Sequence, residues 1–256
     1  MSVIAMRALL RGAVLFAGMA QAALAADVSV LSAGAVEPGL RPALAAFEQA
    51  SGHRVLLSFA TAPQIRERVA AGTVVDVLIA PPAVLDELAR NGKLAGERAS
   101  LGRVGLGVAV RADAPVPDIA SAEAVKRALL DADSLAFNRA STGLYFEGLV
   151  AKLGIAAQVQ GKTTRYPDGA SVMEHVLKGS GREIGIGAIS EIMLYRDKGL
   201  RFVGPLPASL QNYTVYQVSA MAVGGGPSAN AEALLKHLRG APTAAQFAAA
   251  GIEPAP

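Results

Sequence analysis

The fold class of this chain is indicated most clearly by residues 55–82, VLLSFATAPQIRERVAAGTVVDVLIAPP. Residues 55–59 are apolar and rich in strand-forming side chains, and residues 75–79 repeat that character. Between them, Pro63 is well placed at a helix start, and residues 63–72 follow with helical spacing up to a terminating glycine. A strand, a helix and a strand joined by short links are typical of a parallel sheet covered by helices.

The same alternation extends outward in both directions. Residues 28–31 form a β-branched run that ends in the small-residue turn at residues 32–35. A helical pattern then continues to Ser51 and Gly52, and the Pro81-Pro82 pair introduces a third helix. The first third of the chain therefore predicts three strands alternating with three helices.

Two long apolar strands bracket the middle of the chain, at residues 104–110 and 213–223. A separate α/β pattern lies between them, after the proline-rich link at residues 114–117. Such bracketing predicts two crossovers and a first lobe built from both ends of the chain. The predicted organisation is a signal peptide at 1–25, lobe 1 at 26–110 plus 214–256, and lobe 2 at 111–213.

The N-terminus has the pattern of a cleavable export signal. Arg7 and Arg11 give a positive end without an acidic residue, and a short apolar run follows at residues 12–20. Small residues at Ala23 and Ala25 predict cleavage before Ala26. The apolar run is shorter than the ~20 residues of a membrane span. We therefore expect a mature, soluble protein in the periplasm.

Composition excludes several classes of function. The chain has 24 basic and 21 acidic residues, and removing residues 1–25, with two arginines and no acid, leaves 22 and 21. This balance does not favour nucleic acid as a partner. There is no cysteine, and His53, His175 and His237 lack the spacing of paired metal ligands. We expect no metal, no cofactor and no nucleic-acid partner.

The order and spacing of these segments resemble the periplasmic solute-binding proteins of ABC importers, and among them the molybdate-binding family. The matching pieces, which cover nearly the whole mature chain, include residues 28–34, 55–60, 65–80, 142–145, 183–186 and 238–240. The resemblance implies an α/β fold of two lobes, each a mixed, mostly parallel sheet flanked by helices, joined by a two-strand hinge. It also implies a small anion in the interlobe cleft, an ABC permease in the inner membrane as partner, and a monomeric receptor.

Four predicted helix starts could hold such an anion, because the first N–H groups of a helix lack acceptors and its dipole favours negative charge. Ordinary helix capping is the alternative interpretation of each turn.

The resemblance also implies particular ligand positions. In the family, two serine hydroxyls and a tyrosine hydroxyl hold the anion, and these positions fall on Ala35, Ala62 and Ala188. Backbone donors fall on Thr142 and Gly169. The predicted ligand-binding residues are Gly34, Ala35, Thr61, Ala62, Arg139, Ser141, Thr142, Gly169, Ala170 and Ala188.

The arginines suggest an organic anion rather than a small oxyanion. Arg139 and Arg165 flank the second lobe's predicted helix starts, and a guanidinium fork matches a carboxylate. Each could equally be a solvated surface arginine. Alanines at the serine positions would also widen the cleft. The sequence alone thus does not distinguish a molybdate-like oxyanion from a carboxylate as the ligand.

The alternative to a solute-binding receptor is an enzyme. Aconitate isomerase is similar to this family and shifts an allylic proton on a tricarboxylate without a metal, which needs an acid/base group beside the carbon. Tyr145, Glu147, Tyr166 and Asp168 are candidates for that group, and nothing in the sequence selects one of them. No catalytic residue is therefore predicted.

Overall fold

The computed structural model describes residues 26–222 and 226–255. The predicted signal peptide, residues 1–25, lies outside the described residues. The strands are β1 Asp27–Ala33, β2 Arg54–Ala60, β3 Val77–Ala80, β4 Leu94–Arg111, β5 Ser134–Asn138, β6 Thr163–Tyr166, β7 Glu183–Ala188, β8 Leu200–Pro205 and β9 Tyr213–Met221.

Most of the helices alternate with these strands, as the sequence predicts. They are α1 Glu37–Ser51, α2 Ala62–Ala70, α3 Pro82–Arg90, α4 Ala122–Asp131, α5 Ser141–Lys152, α6 Ala156–Val159, α7 Gly169–Lys178, α8 Ile189–Met193, α9 Ala229–Leu238 and α10 Ala241–Ala249. Prolines occupy the first turns of α1, α2 and α3, where their missing N–H is not needed. Within the described parts of the chain, no helix combines the length and apolarity that a membrane span requires.

The first sheet has a parallel centre. β1 pairs with β2 on one side and β3 on the other, both in parallel, and β9 then pairs antiparallel with β3. Val28 and Val30 of β1 face the core formed with α1, α9 and α10, whereas Leu31 faces α2 and α3. Both faces of the sheet are therefore covered, as a parallel sheet requires.

The second sheet repeats this arrangement. β5 lies between β6 and β7 and is parallel to both. Leu135 and Phe137 of β5 face the core with α4 and α5, and Ala136 faces α7 and α8. The two sheets confirm the predicted mixed α/β fold.

β4 is shared between the sheets. It pairs with β9 as far as Gly105 and with β7 from Leu106 onward. β4 and β9 thus run along the junction as the predicted pair of hinge strands. We propose that the lobes comprise residues 26–110 plus 214–256 and residues 111–213.

The structure contains elements that the sequence did not predict, among them the short helix α6, the first half of β4 and α10. β4 begins at Leu94, ten residues before the predicted start. This first part was not predicted because register shifts after Ala95 and after Ser100 disturb the alternation of buried and exposed residues. The helix α10 was not predicted because it is alanine-rich, and Phe247 is its one large buried side chain.

Candidate functional site

A cleft between the two lobes collects the residues that follow the carboxyl ends of the parallel strands. Ligands of open α/β sheets bind at this edge. The cleft is lined by Ala33, Gly34, Ala35, Ala60, Thr61, Ala62, Pro81, Asn138, Ala140, Ser141, Thr142, Gly169, Glu191 and Tyr216. Both sheets therefore contribute to one site.

On the lobe 1 side, α2 begins with a reciprocal cap. The Thr61 side chain accepts from the Gln64 backbone, and the Thr61 N–H donates to Gln64 Oε1 at 2.8 Å. This capping box fixes the turn after β2. Ala62, the first helical residue, is thereby held at the cleft.

On the lobe 2 side, Asn138 fixes the start of α5. Its Oδ1 accepts from the Ala140 N–H at 3.0 Å and the Gly143 N–H at 3.1 Å. Gly143 packs so closely that an added Cβ would lie 1.6 Å from the Asn138 carbonyl oxygen. The tight turn directs Ser141 and Thr142 to the cleft.

The start of α7 is capped by an acidic side chain. Asp168 Oδ1 accepts from the Ser171 N–H at 2.8 Å. The N–H groups of Gly169 and Ala170, at the first two helical positions, have no intrahelical acceptor by helix geometry. The structure therefore turns the positive ends of α2, α5 and α7 toward the same region.

The Glu191 carboxylate lies in this region, although the sequence pattern did not predict it there. Its Oε1 is 3.2 Å from where a Cβ on Gly34 would be, and its Oε2 is 2.2 Å from where a Cβ on Gly169 would be. Both glycines leave the space that the carboxylate fills. Glu191 thus lies between the 3-10 turn Gly34–Val36, which leads into α1, and the start of α7.

Burial and two neighbouring acidic side chains oppose the negative charge of Glu191, although helix starts lie nearby. Burial, followed by the charges of Asp168 and Glu37, raises the pKa of Glu191 to about 7, although a hydrogen bond from the Ala188 backbone lowers it. A carboxyl with this pKa exchanges a proton near neutral pH. The sequence signal was its position three residues after Ala188, where a glutamate commonly caps a helix.

Two further hydroxyl groups lie near the cleft. Tyr216 of β9 is 5% exposed and lines the cleft, and burial raises its pKa above the ordinary value. Ser190 is fully buried and donates a hydrogen bond to the Ala35 carbonyl, which ties α8 to the start of lobe 1's first helix. Neither residue was predicted, because each reaches the cleft through contacts between distant elements.

The structure brings most of the predicted ligand-binding residues together. The cleft lining includes Gly34, Ala35, Thr61, Ala62, Ser141, Thr142 and Gly169. Three others are placed elsewhere. Arg139 and Ala170 are exposed outside this lining, and Ala188 is 1% exposed in the core, where it contributes only its N–H to Glu191.

The remaining sequence candidates have other partners. Arg165 pairs with Glu147 at 3.0 Å and lines a separate cavity. Tyr145 donates a hydrogen bond to the Leu210 carbonyl, and Tyr166 bonds His175. Within the described lining of the cleft there is no lysine or arginine, so the cleft does not contain the guanidinium fork that favoured a carboxylate.

The cleft is narrower than the sequence suggested. In this arrangement of the lobes its cavity measures about 30 Å³. The alanines do remove side-chain volume, but Glu191 fills the space between the glycines. Residues 26–222 and 226–255 also contain no group of three or more His, Cys, Asp or Glu side chains able to hold a metal.

Comparisons with known proteins find similar chains and structures. An aconitate isomerase from Pseudomonas sp is 29% identical over 238 residues, covering 90% of this chain and 88% of that protein. The periplasmic molybdate-binding protein of Azotobacter vinelandii has a TM-score of 0.74 at 19% identity, covering 90% of this chain and 100% of that one. The sulfate-binding protein SubI from Mycobacterium tuberculosis H37Rv has a TM-score of 0.71 at 16% identity, covering 90% and 87% respectively.

These structural likenesses confirm the expected two-lobed fold. The family model for bacterial extracellular solute-binding proteins matches residues 28–253, nearly all of the described chain. This protein therefore belongs to the bacterial extracellular solute-binding proteins.

Proposed function

We propose that the protein captures a small anion in the interlobe cleft, in the periplasm, and delivers it to an ABC permease. The observation that carries the proposal is the convergence of helix starts from both lobes on one cavity. Their N–H groups and dipoles bind negative charge without a lysine or arginine. The names of the similar molybdate- and sulfate-binding proteins support the same class of ligand.

A thermal-shift panel tests this function. Molybdate, tungstate, sulfate, citrate and cis-aconitate would each be added to the pure protein at pH 6.5. An anion at 100 times its Kd stabilises the folded state by about 2.7 kcal/mol. At least one anion is expected to raise the melting temperature, and a panel without any shift would contradict the proposal.

Two matched variants locate the binding. Ser141→Asp places a carboxylate in the cleft at a helix start, where the helix dipole tolerates it. Ser171→Asp places the same charge in the first turn of α7, outside the cleft lining. The ligand-induced shift should disappear in the first variant and persist in the second.

Glu191 favours a second candidate function, the isomerisation of a carboxylate substrate. A carboxyl with a pKa of about 7 beside a bound substrate can remove and return a proton. The similarity to an aconitate isomerase supports this alternative. In this hypothesis, Glu191 takes a proton from one carbon of the allylic system and a proton is returned to the other.

Incubation with cis-aconitate separates the two functions. Isomerisation predicts that the pure protein forms trans-aconitate, measured by chromatography, and that Glu191→Gln abolishes it. Glu147→Gln is the matched control, since Glu147 pairs with Arg165 away from the cleft. No conversion by the wild type would remove this candidate and leave anion capture in place.

A further inference from the structure

The position of Glu191 creates a conflict that anion capture must resolve. Its carboxylate lies between Gly34, which opens the 3-10 turn leading into α1, and Gly169 at the start of α7. An anion entering the cleft would use the same helix starts. An ionised Glu191 therefore competes with the ligand and repels it.

Local bonding keeps the carboxyl in this place. Glu191 is the third residue of α8, and the backbone N–H of Ala188, the N-cap, donates to it. The neighbouring Ser190 is anchored to the Ala35 carbonyl. Withdrawal of the Glu191 side chain from the cleft would therefore lose its hydrogen bond with the Ala188 N–H.

The charged groups around Glu191 add to the conflict. Asp168 at the start of α7 and Glu37 on α1 both act on its carboxyl with negative charge. Arg41 pairs with Glu37 at 2.6 Å and offsets part of that charge. The other titratable side chains affected by Glu191 are Tyr195 and Tyr216, which are neutral around pH 7.

We propose that anion capture is coupled to proton uptake by Glu191, so that the ligand binds the cleft only when this carboxyl is neutral. The neutral carboxyl removes the repulsion and adds an O–H donor beside the helix starts. Its pKa of about 7 makes this proton exchange accessible near neutral pH. The inference rests on the proposed anion capture.

The coupling predicts a specific pH dependence. If Glu191 titrates near pH 7 in the free protein, the neutral fraction falls about tenfold between pH 6 and pH 8. Affinity should fall by the same factor. Glu191→Gln cannot ionise, so its affinity should not show this fall.

Isothermal titration calorimetry with molybdate and with cis-aconitate measures both the affinity and the number of protons taken up on binding. Titrations at pH 6 and pH 8 give the affinity, and titrations at pH 8 in buffers of different ionisation enthalpy give the number of protons taken up. The wild type and Glu147→Gln should take up about one proton per anion at pH 8. Glu191→Gln should take up none beyond the ligand's own titration.

The possible results distinguish a failure of the proton coupling from a failure of anion capture itself. Wild-type binding with equal affinity at pH 6 and pH 8, or equal proton uptake by wild type and Glu191→Gln, would overturn the coupling while leaving anion capture intact. The absence of binding heat with either anion at pH 6, together with an unshifted thermal panel, would overturn both.

Discussion

At the residue scale, Glu191 is held in an environment that disfavours its ionised form. Burial is the largest cause and raises its pKa to about 7. A raised acid pKa contributes stability that is fully present below the ordinary value of 4.5 and is lost as pH rises through 7. The ionised side chain is therefore a source of instability at alkaline pH.

Glu191→Gln should remove this pH-dependent loss of folding stability. The difference between the two pKa values corresponds to about 3 kcal/mol. Glutamine can keep the cap at the third helical position, so the variant should melt about 6–12 °C above the wild type at pH 8 and close to it at pH 5.

Scanning calorimetry at both pH values checks this expectation. Glu147→Gln is the control and should show the same small offset at each pH, because Glu147 forms an exposed ion pair. A Glu191→Gln offset that does not change with pH would contradict the environment described for Glu191.

The sequence predicted the cleft at this scale only in part. Residues such as Thr61, Thr142 and Gly169 follow directly from local strand-to-helix patterns, so their place was predictable. Glu191 and Tyr216 were not, because their positions depend on how α8 and β9 pack against distant helix starts. Arg139 was predicted from residue chemistry alone, and its side chain is exposed outside the cleft lining.

At the element scale, the start of α5 is the most tightly built of the helix starts. Gly143 lies against the Asn138 backbone, and Asn138 caps the turn with its side chain. Backbone contacts of this kind cannot be relieved by a side-chain rotation. The orientation of Ser141 and Thr142 therefore depends on Gly143.

Gly143→Ala should shift the start of α5, lower the free energy of unfolding by about 2–4 kcal/mol and weaken ligand binding. Gly148→Ala on the same helix is the matched control. A Cβ there meets nothing within 4 Å, so the substitution should stabilise the protein by roughly 0.5–1 kcal/mol.

Urea denaturation of both variants measures the difference. Equal stability of Gly143→Ala and Gly148→Ala would show that the turn between β5 and α5 is not constrained as described.

The elements themselves were largely predictable. Strands and helices with a clear period, such as β1, α1 and α7, lie near their predicted positions. The first half of β4 and the whole of α10 were missed, because bulges interrupt the first and an alanine-rich sequence obscures the second.

At the scale of the whole molecule, the lobes meet around a cavity of about 30 Å³. That volume holds little more than a water molecule, so we expect the lobes to separate when a ligand enters. β4 and β9, which run between the sheets, are the expected hinge. Hinge closure around a ligand is an established class of motion.

Small-angle scattering should detect this motion. The ligand-free protein is expected to exchange between the closed arrangement described above and an open one, and saturating anion should favour the closed form and reduce the mean radius of gyration. Addition of sodium chloride at the same ionic strength is the control. An unchanged radius in the presence of an anion that binds by calorimetry would contradict closure by the lobes.

We propose that the ligand binds where helix starts of both lobes surround Glu191. A crystal structure of the protein with the anion that stabilises it most would show the position of the ligand. We expect density for one anion in the cleft, in contact with the starts of α5 and α7 and with Glu191. Density elsewhere, such as the groove between residues 115–118 and α4, with none in the cleft, would contradict it.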